Sequence, residues 1–100
     1  MKMQIQGETL RISEFAELGA ENSNDFRDQA RAAMTAAQKN IEIDLSQTMF
    51  MDSCGLGTLI SLHKTTCSRN GAVRLLNPQP NVQQVLELTR MHRIFEIVNR

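Results

Sequence analysis

An α/β fold with a mixed sheet is what this 100-residue chain predicts, on three observations. Ile41, Ile43 and Leu45 alternate with Glu42 and Asp44, the period-two signature of a strand with one face buried. The polar corner Asp52-Ser53 then leads into a helical stretch that sets Leu56, Leu59, Ile60, His63 and Cys67 on one side. Strand-like and helix-like segments go on alternating downstream, which requires parallel neighbours joined by crossovers. The expectation is a sheet of four to five strands, with three to four helices packed mainly on one face.

Taken in order, Met3 to Ile5 and Leu10 to Phe15 read as two short strands with Gly7-Glu8 turning between them. Glu17 to Asn24 reads as a loop. Asn22, Ser23 or Asn24 is placed to cap the first helix, and Asp25 and Asp28 suit its positive end. Phe26, Ala30, Ala33, Met34 and Ala37 form the apolar face of that helix, with Arg27, Arg31 and Gln38 elsewhere. Its alanines predict close packing against a sheet. In the second helix Thr58, Ser61, Thr65, Ser68 and Arg69 take the polar side, and Gly71 serves as the C-terminal cap. Ala72 to Leu76 is the next strand, and Asn77-Pro78-Gln79-Pro80 a turn whose last proline opens a third helix. That helix buries Val82, Val85, Leu86 and Thr89. Met91 to Ile94 is a short helical turn, and Phe95 to Val98 a last strand or an extended tail. Met49 and Met51 are read as core, or else as an adaptable contact surface at the rim. No linker, repeat or low-complexity segment divides the chain, so residues 1–100 are expected to form one domain.

Composition narrows the function. Eleven basic side chains balance eleven acidic ones, without the excess that nucleic acid or an anionic membrane attracts. The four aromatics are all Phe, which leaves no stacking platform for single strands. No apolar run approaches the roughly 20 residues of a membrane span, and Met1 to Gln6 lacks the apolar core of a secretion signal. On one continuous helix Cys54 and Cys67 would lie about 20 Å apart, too far for a disulfide. Free thiols predict the cytoplasm.

The corner before the second helix is the one place with distinctive chemistry. A serine close to a helix start can cap orphan N–H groups, and those groups with the helix dipole also favour an anion. Gly55-Leu56-Gly57 is not a phosphate-binding loop, because the flanking glycine and lysine pattern is missing. Cys54 has no base within reach along the helix, since His63 lies about 13 Å away by rise. His63 and Cys67 are one turn apart, but two ligands without a third make a poor metal site. A packed histidine is the expectation there.

Asp44-Leu45-Ser46, followed by Phe50-Met51-Asp52-Ser53-Cys54-Gly55-Leu56-Gly57, resembles the signature of the STAS domain in bacterial anti-sigma factor antagonists. Leu76-Asn77-Pro78 and the run from Val85 to Ile97 resemble the end of that family. The likeness is strong over residues 41–98 and weak over 1–40. It implies a small single-domain STAS-like fold with neither catalysis nor a cofactor or metal. It also implies a phosphorylation switch at Ser53. A serine-protein kinase that is itself an anti-sigma factor would bind the unphosphorylated form and release the phosphorylated one, and a PP2C-type phosphatase would reset it. The corresponding partner-binding set is Asp52, Ser53, Cys54, Gly55, Leu56, Gly57 and Leu62. Gly55 and Gly57 are expected to admit a partner closely, and Leu62 to be peripheral core or an anchor. The family often has Ser or Thr at the place of Cys54, and an acid at the place of Gly19. The other expectations weighed are a constitutive accessory or scaffold subunit of an ABC-type transporter or signalling complex, and an enzyme built on Cys54.

Overall fold

In β2 and β4 buried apolar residues alternate with half-buried ones, which gives the sheet a dry face under the helices and a more polar face opposite. The computed structural model describes residues 1–100. The elements, in order, are β1 (Lys2–Gln6), β2 (Thr9–Ser13), β3 (Glu17–Leu18), α1 (Ser23–Ala33), β4 (Asn40–Asp44), β5 (Phe50–Met51), α2 (Ser53–Cys67), β6 (Val73–Leu76), α3 (Pro80–Leu88), a 3-10 turn (Met91–Arg93) and β7 (Glu96–Val98). Five strands form the main sheet in the order β1-β2-β4-β6-β7. Only the β1–β2 hairpin is antiparallel; β2, β4, β6 and β7 run parallel. The expected mixed α/β sheet is therefore present, with three helices, and the segment after Phe95 is a strand.

The core lies on the helix side. Leu10, Ile12, Ile41, Ile43, Val73 and Leu75 from the sheet meet Phe26 and Ala30 of α1, Leu59 and Leu62 of α2, and Val82 and Leu86 of α3 in one cluster. Phe15 and Phe26 add an edge-to-face pair with centroids 4.9 Å apart.

The other face carries a row of charge. Register aligns Arg11 with Glu42, Glu42 with Arg74, and Arg74 with Glu96 across four strands. Glu42 lies 3.6 Å from Arg11 and 3.1 Å from Arg74, and Arg74 lies 3.1 Å from Glu96. Alternating signs let the two inner charges, Glu42 and Arg74, meet opposites on both sides, and Glu42 and Glu96 hold Arg74 still more firmly in its charged form.

Several expectations are corrected. Leu10–Phe15 is not one strand: β2 stops at Ser13, and Glu14 takes a left-handed φ of 61°. Glu17-Leu18 is not loop but β3, paired parallel with β5. The α1 helix ends at Ala33, so Ala37 is exposed rather than on its apolar face. Gln38 is instead buried, accepting from the Thr35 N–H and donating to the Gly7 carbonyl. Thr58 is buried and donates to the Ser23 carbonyl at 3.1 Å, whereas Cys67 and Thr89 face solvent. His63 is half-buried, edge-on to Phe95 with centroids 5.5 Å apart.

Candidate functional site

The parallel strands all end at one edge of the sheet, and the chain between β4 and α2 crosses that edge. Loop 45–52 is fastened from several sides. Thr48 donates from Oγ1 to the Phe15 carbonyl at 2.9 Å, and the Met49 N–H donates to the Ala16 carbonyl at 2.8 Å. Gln79 of the turn before α3 donates to the Ser46 carbonyl. The short β3–β5 ribbon then sets Glu17 beside Phe50 and Leu18 beside Met51, and delivers the chain to Asp52. Met51 is buried, while Met49 and Phe50 stand 61% and 51% exposed. One methionine is core and the other is rim.

Asp52, not Ser53, caps α2. Its Oδ1 accepts from the backbone N–H of Cys54 at 2.9 Å and of Gly55 at 3.0 Å, and Oδ2 accepts from the Ala20 N–H at 3.0 Å. Three N–H donors hold the Asp52 carboxyl below its ordinary pKa of 3.8, the Gly55 donor first and then Ala20. Ser53 consequently occupies the first helical position, exposed, with the cap already provided by its neighbour. Cys54 and Gly57 are exposed beside it, and both cysteines are free.

Three members of the expected partner-binding set lie beneath this surface. Leu62 is fully buried, so it is core and cannot anchor a partner. Leu56 is 8% exposed and belongs to the same cluster. Gly55 faces inward: a Cβ there would lie 2.1 Å from the Leu18 carbonyl oxygen. Its missing side chain admits the β3 backbone, not a partner. The accessible set is Asp52, Ser53, Cys54 and Gly57.

Beside this corner lies a feature that the sequence reading did not name. A cleft of about 250 Å³ opens between the Gly19–Asn22 turn, Glu17, Phe50 and Asp52. Two side-chain bonds fasten the turn: Asn22 Oδ1 accepts from the Gly19 N–H at 2.9 Å, and Asn22 Nδ2 donates to the Glu17 carbonyl at 2.8 Å. A loop reading of Glu17 to Asn24 carries no sign of a cavity. No helix of the protein is long and apolar enough to cross a membrane.

A five-stranded mixed sheet with helices on one face, and an exposed serine at the start of the helix that follows its edge loop, define a small α/β domain. The family profile for the STAS domain matches residues 1–100, and the chain belongs to that family. It is 30% identical over 90 residues to a STAS-domain containing protein of Pseudomonas aeruginosa strain UCBPP-PA14, covering 89% of this chain and 85% of that one. It is 26% identical over 102 residues to an anti-sigma F factor antagonist of Paenibacillus polymyxa, covering 97% and 87%. Among solved structures, TM1081 from Thermotoga maritima superposes with a TM-score of 0.92 at 26% identity, over 99% of this chain and 86% of that one. The anti-sigma factor antagonist SpoIIAA in its unphosphorylated form gives 0.85 at 23% identity, over 99% and 86%. Its phosphorylated form, from Bacillus, gives 0.73 at 22% identity, over 99% and 89%.

Proposed function

We propose that this protein is a phosphorylation-switched anti-sigma factor antagonist, with residues 1–100 acting as one STAS unit and Ser53 as the switch. The observation that carries the reading is the division of labour at the corner. Asp52 caps α2, so the Ser53 hydroxyl stands exposed and free of that task. A relative named as an anti-sigma F factor antagonist, and a fold neighbour that exists in both phosphorylation states, support the same reading.

Phosphate at Ser53 would add about −1.5 to −2 charges. The positive end of α2 tolerates that charge, so the fold survives. A partner surface fitted to a neutral hydroxyl beside the Asp52 carboxylate does not. Repulsion and desolvation remove binding free energy there, and each 1.4 kcal/mol is about tenfold in affinity. The partner is a cytoplasmic serine-protein kinase that doubles as an anti-sigma factor, reset by a PP2C-type phosphatase. Asp52, Ser53, Cys54 and Gly57 make the contact, and Gly55, Leu56 and Leu62 shape it from below. The antagonist performs no catalysis.

The test is capture from native lysate on wild-type, Ser53→Ala and Ser53→Asp baits, followed by incubation of the captured kinase with ATP. Wild type and Ser53→Ala retain the same partner, Ser53→Asp loses it, and mass spectrometry places a single phosphate on Ser53. Retention by all three baits overturns the switch and marks a constitutive scaffold subunit.

A further inference from the structure

The reading above makes no use of the sheet's wet face. All three helices pack into the core on the opposite side, so the row Arg11, Glu42, Arg74 and Glu96 has no layer of the chain's own over it. The order of its charges is specific. On β1 the row continues with Gln4, which is neutral, so the charged part has four members, positive and negative in turn across adjacent strands. Turned about a two-fold axis that runs along the strands between β4 and β6, such a row meets its own copy with every sign opposed. Arg11 then faces Glu96 of the second copy and Glu42 faces its Arg74, and symmetry makes each pairing twice. A row of three or five would set like charges together at its centre, and sliding this row by one strand would do the same. An axis across the strands would lay each strand over its own copy, like on like. The remaining charges of this face, Asp44 beside Arg11 and Arg100 beside Glu42, are one of each sign and leave it neutral. A nucleic acid or an anionic membrane would be repelled by every second strand. The sign pattern thus selects one partner and one orientation.

We propose that the wet face is where two copies of this chain meet, sheet on sheet, about a two-fold axis parallel to the strands. Rotation about that axis leaves the strand direction unchanged. The edges that carry Ser53 therefore point the same way, and the dimer presents two switch corners at one end. Facing sheets twist in the same sense and cross at about 30°, so the inner pair Glu42–Arg74, nearest the axis, aligns best and dominates the contact. The four strands span only about 15 Å at ordinary sheet spacing. The contact is therefore small and the dimer weak, forming at high protein concentration and low salt. The proposal does not depend on the switch reading.

Sedimentation velocity over a range of protein concentrations tests it. Wild type is expected to dimerise at low salt, with a dissociation constant that rises about tenfold between about 0.05 M and about 0.5 M salt. Glu42→Arg alone and Arg74→Glu alone each stay monomeric, because each sets like charges across the axis. An equimolar mixture of the two recovers the dimer, because the mixed pair again opposes unlike charges at every position. Arg11→Glu and Glu96→Arg, the outer pair, follow the same pattern more weakly and decide the matter should an inner variant lose its fold by circular dichroism. A wild type that stays monomeric at low salt, a dimer indifferent to salt or to these substitutions, or a mixture that fails to recover it overturns the proposal. None of these results bears on whether Ser53→Asp loses the captured partner, so the two readings fail separately.

Discussion

Three backbone N–H groups converge on the single carboxylate of Asp52, and two of them come from the first turn of α2. That carboxylate therefore joins helix to loop, and its protonation is linked to stability. Its folded pKa lies below the ordinary 3.8. The stabilisation is thus fully present above that value and is lost as pH falls through the lower, folded one. Asp52→Ala is expected to lower the urea midpoint near neutral pH, Asp52→Asn to lower it less, and both gaps to the wild type to close in strongly acidic buffer. Gly55 offers a sharper contest. Alanine there gains about 1 kcal/mol of helix propensity. The new methyl, however, meets the Leu18 carbonyl oxygen at 2.1 Å, and backbone cannot rotate aside as a flexible side chain can. The overlap should win, with a net loss of roughly 1–3 kcal/mol in denaturant unfolding. Neither role was fully legible in the sequence. Asp and Ser are equally good caps, so their order alone does not say which one takes the cap. An inward-facing glycine also looks like an outward-facing one.

At the scale of elements, α2 shows where periodicity succeeds and where it slips. The existence of the helix and its start beside Ser53 follow from the sequence, as do β4, β6 and α3. Its orientation does not. The buried side is Gly55, Leu56, Thr58, Leu59, Leu62 and Thr66, about one residue round from the stripe of Leu56, Leu59, Ile60, His63 and Cys67. Two threonines enter the core because their hydroxyls find carbonyls, Thr58 on Ser23 and Thr66 on His63. A hydropathy pattern counts them as polar and turns the helix away. Leu62→Ala should therefore cost about 2–5 kcal/mol, whereas Leu88→Ala should stay within about 0.5 kcal/mol, because Leu88 is 76% exposed. Equal effects would contradict the packing described. The β3–β5 ribbon was illegible for a simpler reason. Two residues per strand leave no period to detect, and its pairing joins positions more than thirty apart.

Across the whole molecule, formal neutrality hides two arrangements of charge. On the wet face of the sheet the signs alternate from strand to strand, with Glu42 in reach of Arg11, Arg74 and Arg100. Arg11, Glu42 and Arg74 can each be read as the outward position of a strand, but the row exists only through register, which the sequence leaves open. Glu42→Gln would remove the carboxylate those arginines share, leaving Arg11 with Asp44 and Arg74 with Glu96, at a loss of roughly 1–2 kcal/mol that shrinks as salt is added. At the switch edge, Glu17, Glu21 and Asp52 line one side of an opening beside an exposed hydroxyl, without a cation among them. The most direct measurement is calorimetric titration of the captured kinase with the protein carrying either free or enzymatically phosphorylated Ser53. The account predicts a weakening on the order of 100-fold for the phosphorylated form, and no such change for Ser53→Ala treated identically. Equal affinity of the free and phosphorylated forms would contradict it.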